Sequence, residues 1–143
     1  MLKSWTINII FKLKDMILIW QPIYSVNVGE IDEQHRKLFN IINKFFSLNK
    51  GENMEGILKE LEEYAIYHFN TEEKYFKKFS YPEEESHKKM HQFYVDKVAE
   101  FKKRQKNEDI YMELREFLKN WWLGHIQNAD QAYSNFFNQN GLL

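Results

Sequence analysis

A histidine and a glutamate one helical turn apart open the chemistry of this chain: His68 and Glu72, in the run His68-Phe69-Asn70-Thr71-Glu72-Glu73. At about 100° per residue the two side chains lie roughly 40° apart on one helical face. Stacked in this way, an imidazole nitrogen and a carboxylate oxygen can reach the same metal ion. His87 and His91 repeat the spacing with two imidazoles, His35 lies upstream, and His125 with Asp130 lies downstream. The chain has five histidines, and these four places use all of them. That economy points to metal binding. With no cysteine in the chain, disulfide frameworks, thiolate-held iron–sulfur clusters and Cys-based zinc sites are excluded. Any metal must be held by imidazole and carboxylate.

Seven candidate ligands are too many for one ion, because a first-row metal takes about six donors. Two octahedral ions offer about twelve positions. Five nitrogens and two bridging carboxylates fill about nine of them, and a bridging oxide or hydroxide about two more. Roughly one position is then left for a small exogenous ligand. Imidazole suits iron, copper, zinc and nickel, whereas carboxylate bridges and near-octahedral demand favour iron. One spacing resists regular geometry: His125 and Asp130 are about 140° apart on an ideal helix. Either the helix loosens there into a π-type turn, or Asp130 belongs to a frayed end. Other motifs are weaker. His87-Lys88-Lys89-Met90-His91 lacks the Glu beside the first His that a zinc protease helix needs. Glu73 reads as a surface residue, and a metal-free bundle is the alternative to the whole site.

The elements that must position these side chains are helices. Only two Pro and five Gly occur in 143 residues, and most fall at breaks. Asp32 reads as the N-cap of a first helix running to about Leu48, with Leu38, Ile41, Ile42, Phe45 and Phe46 at helical spacing. A second helix is expected from about Met54 to Phe79. Its apolar stripe of Ile57, Leu58, Leu61, Tyr64, Ala65 and His68 continues through Glu72, so imidazole and carboxylate face inward. Pro82 and the acidic run Glu83–Glu85 start a third helix, to about Lys103, carrying His87 and His91. A fourth begins near Glu108 and carries Leu114, Leu118, Trp121 and Trp122 toward His125. The tail holding Asp130, Tyr133, Phe136 and Phe137 is expected to pack partly back on the bundle. Short links between four amphipathic helices imply an all-α, antiparallel up-down-up-down four-helix bundle. Starts of odd helices then meet ends of even ones, which puts His35, His68, His87 and His125 at compatible heights.

Ahead of the helices, Ile17–Ile31 reads as an extended arm across a 17–143 domain. Residues 1–16 form an extension: its apolar run is too short for a signal peptide or a membrane span. Met16 could serve as an alternative start, and a membrane-touching or partner-binding arm is the functional alternative. Length fits one domain with its own core. Charged residues are 29% of the chain and the net charge is −1, so no single-sign field points to nucleic acid or an anionic membrane. A cytoplasmic monomer without stable membrane insertion is expected, with self-association through the arm left open. Aromatic residues, 17% of the chain, promise thick apolar walls.

Ile31-Asp32-Glu33-Gln34-His35, His68-Phe69 through Glu72-Glu73, His87 with His91, and His125-Ile126 through Asp130 resemble the hemerythrin family pattern in order and spacing. The likeness covers about residues 17–137, and the short length resembles bacterial hemerythrins. It implies a non-haem di-iron site that binds dioxygen reversibly, for storage, delivery or sensing, and no enzyme. By that analogy His87, His91 and His125 ligate one iron, while His35 and His68 ligate the other, which keeps the open position. Glu72 and Asp130 bridge the two with an oxide or hydroxide. Extension 1–15 lies outside the pattern. At the position three before His125, a pocket-lining Leu in that family, this chain has Trp122. The high imidazole-to-carboxylate ratio favours a carrier over an oxidase, whose ferritin-like sites use about four carboxylates and two His. A di-iron enzyme acting on peroxide or nitric oxide is the alternative.

Overall fold

The computed structural model describes residues 17–49 and 52–143. The reading of residues 1–15 as an extension or arm lies outside them. Among the described residues there is no strand. After a short 3₁₀ turn at Pro22–Tyr24 come α1 (Gly29–Phe46), α2 (Glu55–Phe79), α3 (Glu84–Arg104) and α4 (Tyr111–Gly124). A π-helical segment, His125–Asp130, joins α4 to a final helix, α5 (Gln131–Gln139). Four helices make the antiparallel bundle expected from the sequence, and α5 prolongs the fourth.

Two differences from the expected boundaries have local causes. Helix α1 starts at Gly29, with Val28 as its N-terminal flank. Asp32 is therefore inside the first turn and its carboxylate folds back on the arm. It accepts from the Val26 N–H at 2.8 Å and the Ser25 hydroxyl at 2.6 Å. Asp32 caps the arm instead of the helix. Helix α4 starts at Tyr111, because Asn107 and Glu108 donate their N–H groups back to Arg104 and spend that stretch in a turn.

The arm lies along α1: the Leu18 N–H donates to Asn43 Oδ1 at 2.7 Å and Asn43 Nδ2 donates to the Leu18 carbonyl at 2.9 Å. The interior has two parts. The larger joins Leu38, Ile42 and Phe45 of α1 to Leu58 and Leu61 of α2, Val98 and Phe101 of α3, and Leu114 and Leu118 of α4. The smaller gathers Val26, Val28, Ile31, Phe76, Tyr81, Tyr133 and Phe137 at the other end. The tail thus packs back on the bundle as expected, by burying Tyr133 and Phe137 of α5. Between the two apolar parts sit the polar residues that the rest of the fold surrounds.

Candidate metal centre

Each bundle helix delivers its own share of the centre: His35 from the second turn of α1, His68 and Glu72 from α2, His87 and His91 from α3. The π segment supplies both of its ends, His125 and Asp130. A π turn closes i→i+5 bonds, so residues five apart come onto one face. Of the two alternatives that the His125–Asp130 spacing left open, this is the looser turn and not the frayed end, and it lets both side chains point inward. All seven residues are buried, with His35, His68, Glu72 and Asp130 at 0% exposure.

The Nε2 atoms of all five imidazoles converge on the two carboxylates. Glu72 Oε1 lies 2.8 Å from His68 Nε2 and 3.9 Å from His35 Nε2. Its other oxygen, Oε2, lies 3.0 Å from His87 Nε2 and 3.1 Å from His91 Nε2. Asp130 repeats the division: Oδ2 is 3.0 Å from His35, while Oδ1 is 3.0 Å from His87 and 3.1 Å from His125. Each carboxylate turns one oxygen to the His35–His68 side and one to the His87–His91–His125 side. Two sets of ligand atoms can accordingly each hold a metal ion, and Glu72 and Asp130 belong to both.

Hydrogen bonding alone does not account for this cluster. His91 Nε2, His125 Nε2 and both Asp130 oxygens are buried with no hydrogen bond, although each has a neighbour near 3 Å. Buried polar groups are normally paired, and an unpaired one costs about 1–3 kcal/mol. Donors that crowd together without hydrogen-bond geometry fit a common cation. The electrostatics agree. Burial works to raise Glu72, yet His68 first, and then the facing nitrogens of His87 and His91, hold its carboxyl well below the usual range. Burial and Glu72 likewise oppose ionisation of Asp130, and His125 and His35 outweigh them. Burial pulls the His87 pKa down, but Asp130 and Glu72 push it up to about 10. His35 is lowered, by burial first and by His68 second.

The atoms behind the ligands are ordered too. His68 donates its Nδ1–H to Gln34 Oε1 at 2.8 Å, and Gln34 Nε2 donates to Thr71 Oγ1 at 3.1 Å. His91 donates its Nδ1–H to Glu73 Oε1 at 2.9 Å. Each bond fixes the tautomer that leaves Nε2 with its lone pair toward the centre. Glu73, expected at the surface, is half-buried and bonded to a candidate ligand. The direct neighbours of Glu72 and His35 in sequence thereby orient ligands on other helices. The cross-helix pairing has no sequence signature. Tyr133 was expected only to pack; it also donates its hydroxyl to Glu72 Oε1 at 3.1 Å. Burial, reinforced by Asp130 and Glu72, raises its pKa well above the ordinary phenol value, so the hydroxyl stays a donor.

Aromatic rings wall the centre. Phe69 stacks on His91 with centroids 3.8 Å apart, and Trp121 stacks on His125 at 4.3 Å. Trp122, fully buried, stacks on Phe69 at 5.6 Å and approaches His68 at 6.1 Å and His125 at 6.4 Å. It stands against one imidazole from each side of the site.

A four-helix bundle with two carboxylates shared between a two-imidazole and a three-imidazole group defines a class: helical proteins with a candidate dinuclear metal centre. Comparison with known proteins narrows it. Residues 26–136 match the Hemerythrin HHE cation binding domain. The chain is 33% identical over 122 residues to the bacteriohemerythrin of Stenotrophomonas maltophilia, covering 82% of this chain and 80% of that one. It is equally 33% identical over 127 residues to the bacteriohemerythrin of Clostridium acetobutylicum, covering 82% and 98%. A crystal structure of wild-type hemerythrin superposes with a TM-score of 0.76 at 25% identity, over 82% of this chain and 95% of that chain. The chain belongs to the hemerythrin family.

Proposed function

We propose that the chain binds dioxygen reversibly at a pair of iron ions. His35 and His68 would hold one iron, His87, His91 and His125 the other, with Glu72 and Asp130 bridging. The observation that carries this reading is the division of oxygens: both carboxylates face both imidazole groups, one oxygen to each. Bridging of this kind suits two ions and serves no purpose for one. When bound, the irons supply the electrons that dioxygen needs to be held, together with an oxide or hydroxide bridge.

The chain's own residues do the rest. The two-imidazole group has one donor fewer, so an iron held there would keep an open position beside His35 and His68. Gln34 and Glu73 hold the imidazoles in one tautomer and one orientation. Tyr133 donates to the bridging Glu72 oxygen nearest His68. Phe69 and Trp122 exclude water from the same region, and exclusion of water opposes proton-assisted loss of a bound ligand as superoxide. The high imidazole-to-carboxylate ratio of the candidate ligands supports a carrier over an oxidase. Among the described residues no helix is long and apolar enough to cross a membrane, and the proposed location is the cytoplasm, as a monomer.

The test is a titration of the reduced, iron-loaded protein with dioxygen under otherwise anaerobic conditions. A visible charge-transfer band that grows with oxygen and vanishes on argon purging is the expected result. Rapid, irreversible oxidation would instead assign the centre to sensing or to redox turnover of peroxide or nitric oxide. A protein that takes up no iron would overturn the reading entirely.

A further inference from the structure

Trp121 has no part in the ligand set, yet its ring lies nearly parallel to that of His125, at 12°, with centroids 4.3 Å apart. It is half-buried, and its outer part lines a surface hollow of about 550 Å³ with Met90, Asn120, His125 and Asn128. No Asp, Glu, Lys or Arg lines this hollow; a neighbouring one over His87 carries Glu83. The His125 side chain is 3% exposed, as are those of His87 and His91, against 0% for His35 and His68. Inward, Trp121 touches Tyr94 at 4.7 Å and Trp122 at 4.8 Å. One indole therefore joins solvent to a candidate iron ligand through continuous ring contact.

We propose that Trp121 is the relay by which electrons enter the centre, from a planar aromatic one-electron donor such as a reduced flavin seated in this hollow. The proposal rests on the iron reading above. Its physical basis is that electronic coupling falls steeply with distance and is strongest through touching π systems. A hollow lined by a half-buried indole and the Met90 thioether, with no carboxylate, ammonium or guanidinium in its wall, accepts a flat ring without desolvating such a charge. Each event removes one electron from the donor and converts one Fe(III) to Fe(II), so two events reset an oxidised pair. No bond to Trp121 forms or breaks. A bound ligand that departs as superoxide takes one electron, which one event restores; one that departs as peroxide takes two, which two events restore.

The experiment follows oxidation of reduced flavin mononucleotide by the oxidised, iron-loaded protein under argon, with iron content and melting temperature measured alongside. Trp121→Leu is expected to slow the reaction at least about tenfold, a barrier change of roughly 1.4 kcal/mol. Trp121→Phe, which keeps a ring on His125, should stay near the parent rate. Asn120→Glu, which places a negative charge at the exposed rim, should slow this anionic donor without changing iron content. A parent-like rate in Trp121→Leu, or in Asn120→Glu, means that electrons enter elsewhere and overturns the proposal while leaving the iron reading intact. Absence of iron from the parent protein overturns both. Should Trp121→Leu fail to hold iron, flash excitation of oxidised flavin with the metal-free protein decides. There the excited flavin gains an electron, Trp121 loses one, and the indole proton passes to water. The transient tryptophan radical should be strongly diminished in Trp121→Phe; an unchanged yield overturns the relay.

Discussion

Single side chains divide here between those that face the centre and those that hold the facing ones still. Glu73 is of the second kind. A carboxylate on the far nitrogen of a ligating imidazole fixes its orientation and raises its basicity, and losing such a partner typically costs about 10–100-fold in metal affinity. Glu73→Ala should therefore shorten the lifetime of iron in the protein when a chelator is added, by about tenfold or more. Glu73→Gln, whose amide oxygen still accepts from His91 Nδ1, should recover much of it. Equal lifetimes in Ala and parent would show that the Glu73–His91 bond is only a packing accident. Trp122 is the other informative residue, because it stands against His68 and His125 at once. Trp122→Leu should lower stability by about 1–3 kcal/mol through lost burial. The same change should speed azide association with the oxidised centre, and stopped-flow traces with the same rate as the parent would remove Trp122 from the access route.

Elements fix the heights at which ligands meet. The helix through α4 and α5 must turn His125 and Asp130 onto one face, and a π segment accomplishes this in six residues. Helix α2 ends in another special conformation. Ser80 has φ 56°, in the left-handed region, and the Tyr81 N–H reaches back to the Phe76 carbonyl at 2.9 Å. A side chain pays for that region with roughly 1–2 kcal/mol, partly offset by the greater chain freedom glycine loses on folding. Ser80→Gly is therefore expected to raise stability by a few tenths to about 1 kcal/mol, read as a higher denaturant midpoint with unchanged slope. A lower midpoint would mean that the Ser80 side chain contributes more than its backbone costs.

At the scale of the whole molecule, seven ionisable side chains lie between two apolar cores. Buried ionisable groups are expensive unless paired or bound to metal, so the proposed iron binding is expected to be coupled to folding. A ligand present at about a thousand times its Kd stabilises the folded state by about 4 kcal/mol. For a chain of this size that corresponds to a melting temperature roughly 10 °C higher. Calorimetry before and after chelation is expected to show at least this drop, with the helical circular dichroism of the metal-free protein retained at low temperature. Coincident melting curves would indicate that the centre is built without iron's help.

The cluster of candidate ligands was legible in the chain because helical spacing is a local property. Residues four apart share a face wherever the helix is regular, and the five-residue gap from His125 to Asp130 pointed to a loosened turn or a frayed end there. The bundle followed from amphipathic stripes and short links. The helix starts were less legible, since Asp32 has the chemistry of a cap but finds better partners in Val26 and Ser25 of the arm. Glu73 and Gln34 could not be read as orienting groups from their positions, because their partners sit on other helices. Tyr133 likewise showed only an aromatic body until α5 folded back to bring its hydroxyl to Glu72. The sequence by itself determined which atoms could bind metal and on which helical faces they lie, through the fixed period of the backbone. Only the tertiary structure decided which oxygen faces which imidazole and which neighbours hold the rings. Those are distances between separate helices, and they depend on how side chains of different sizes pack.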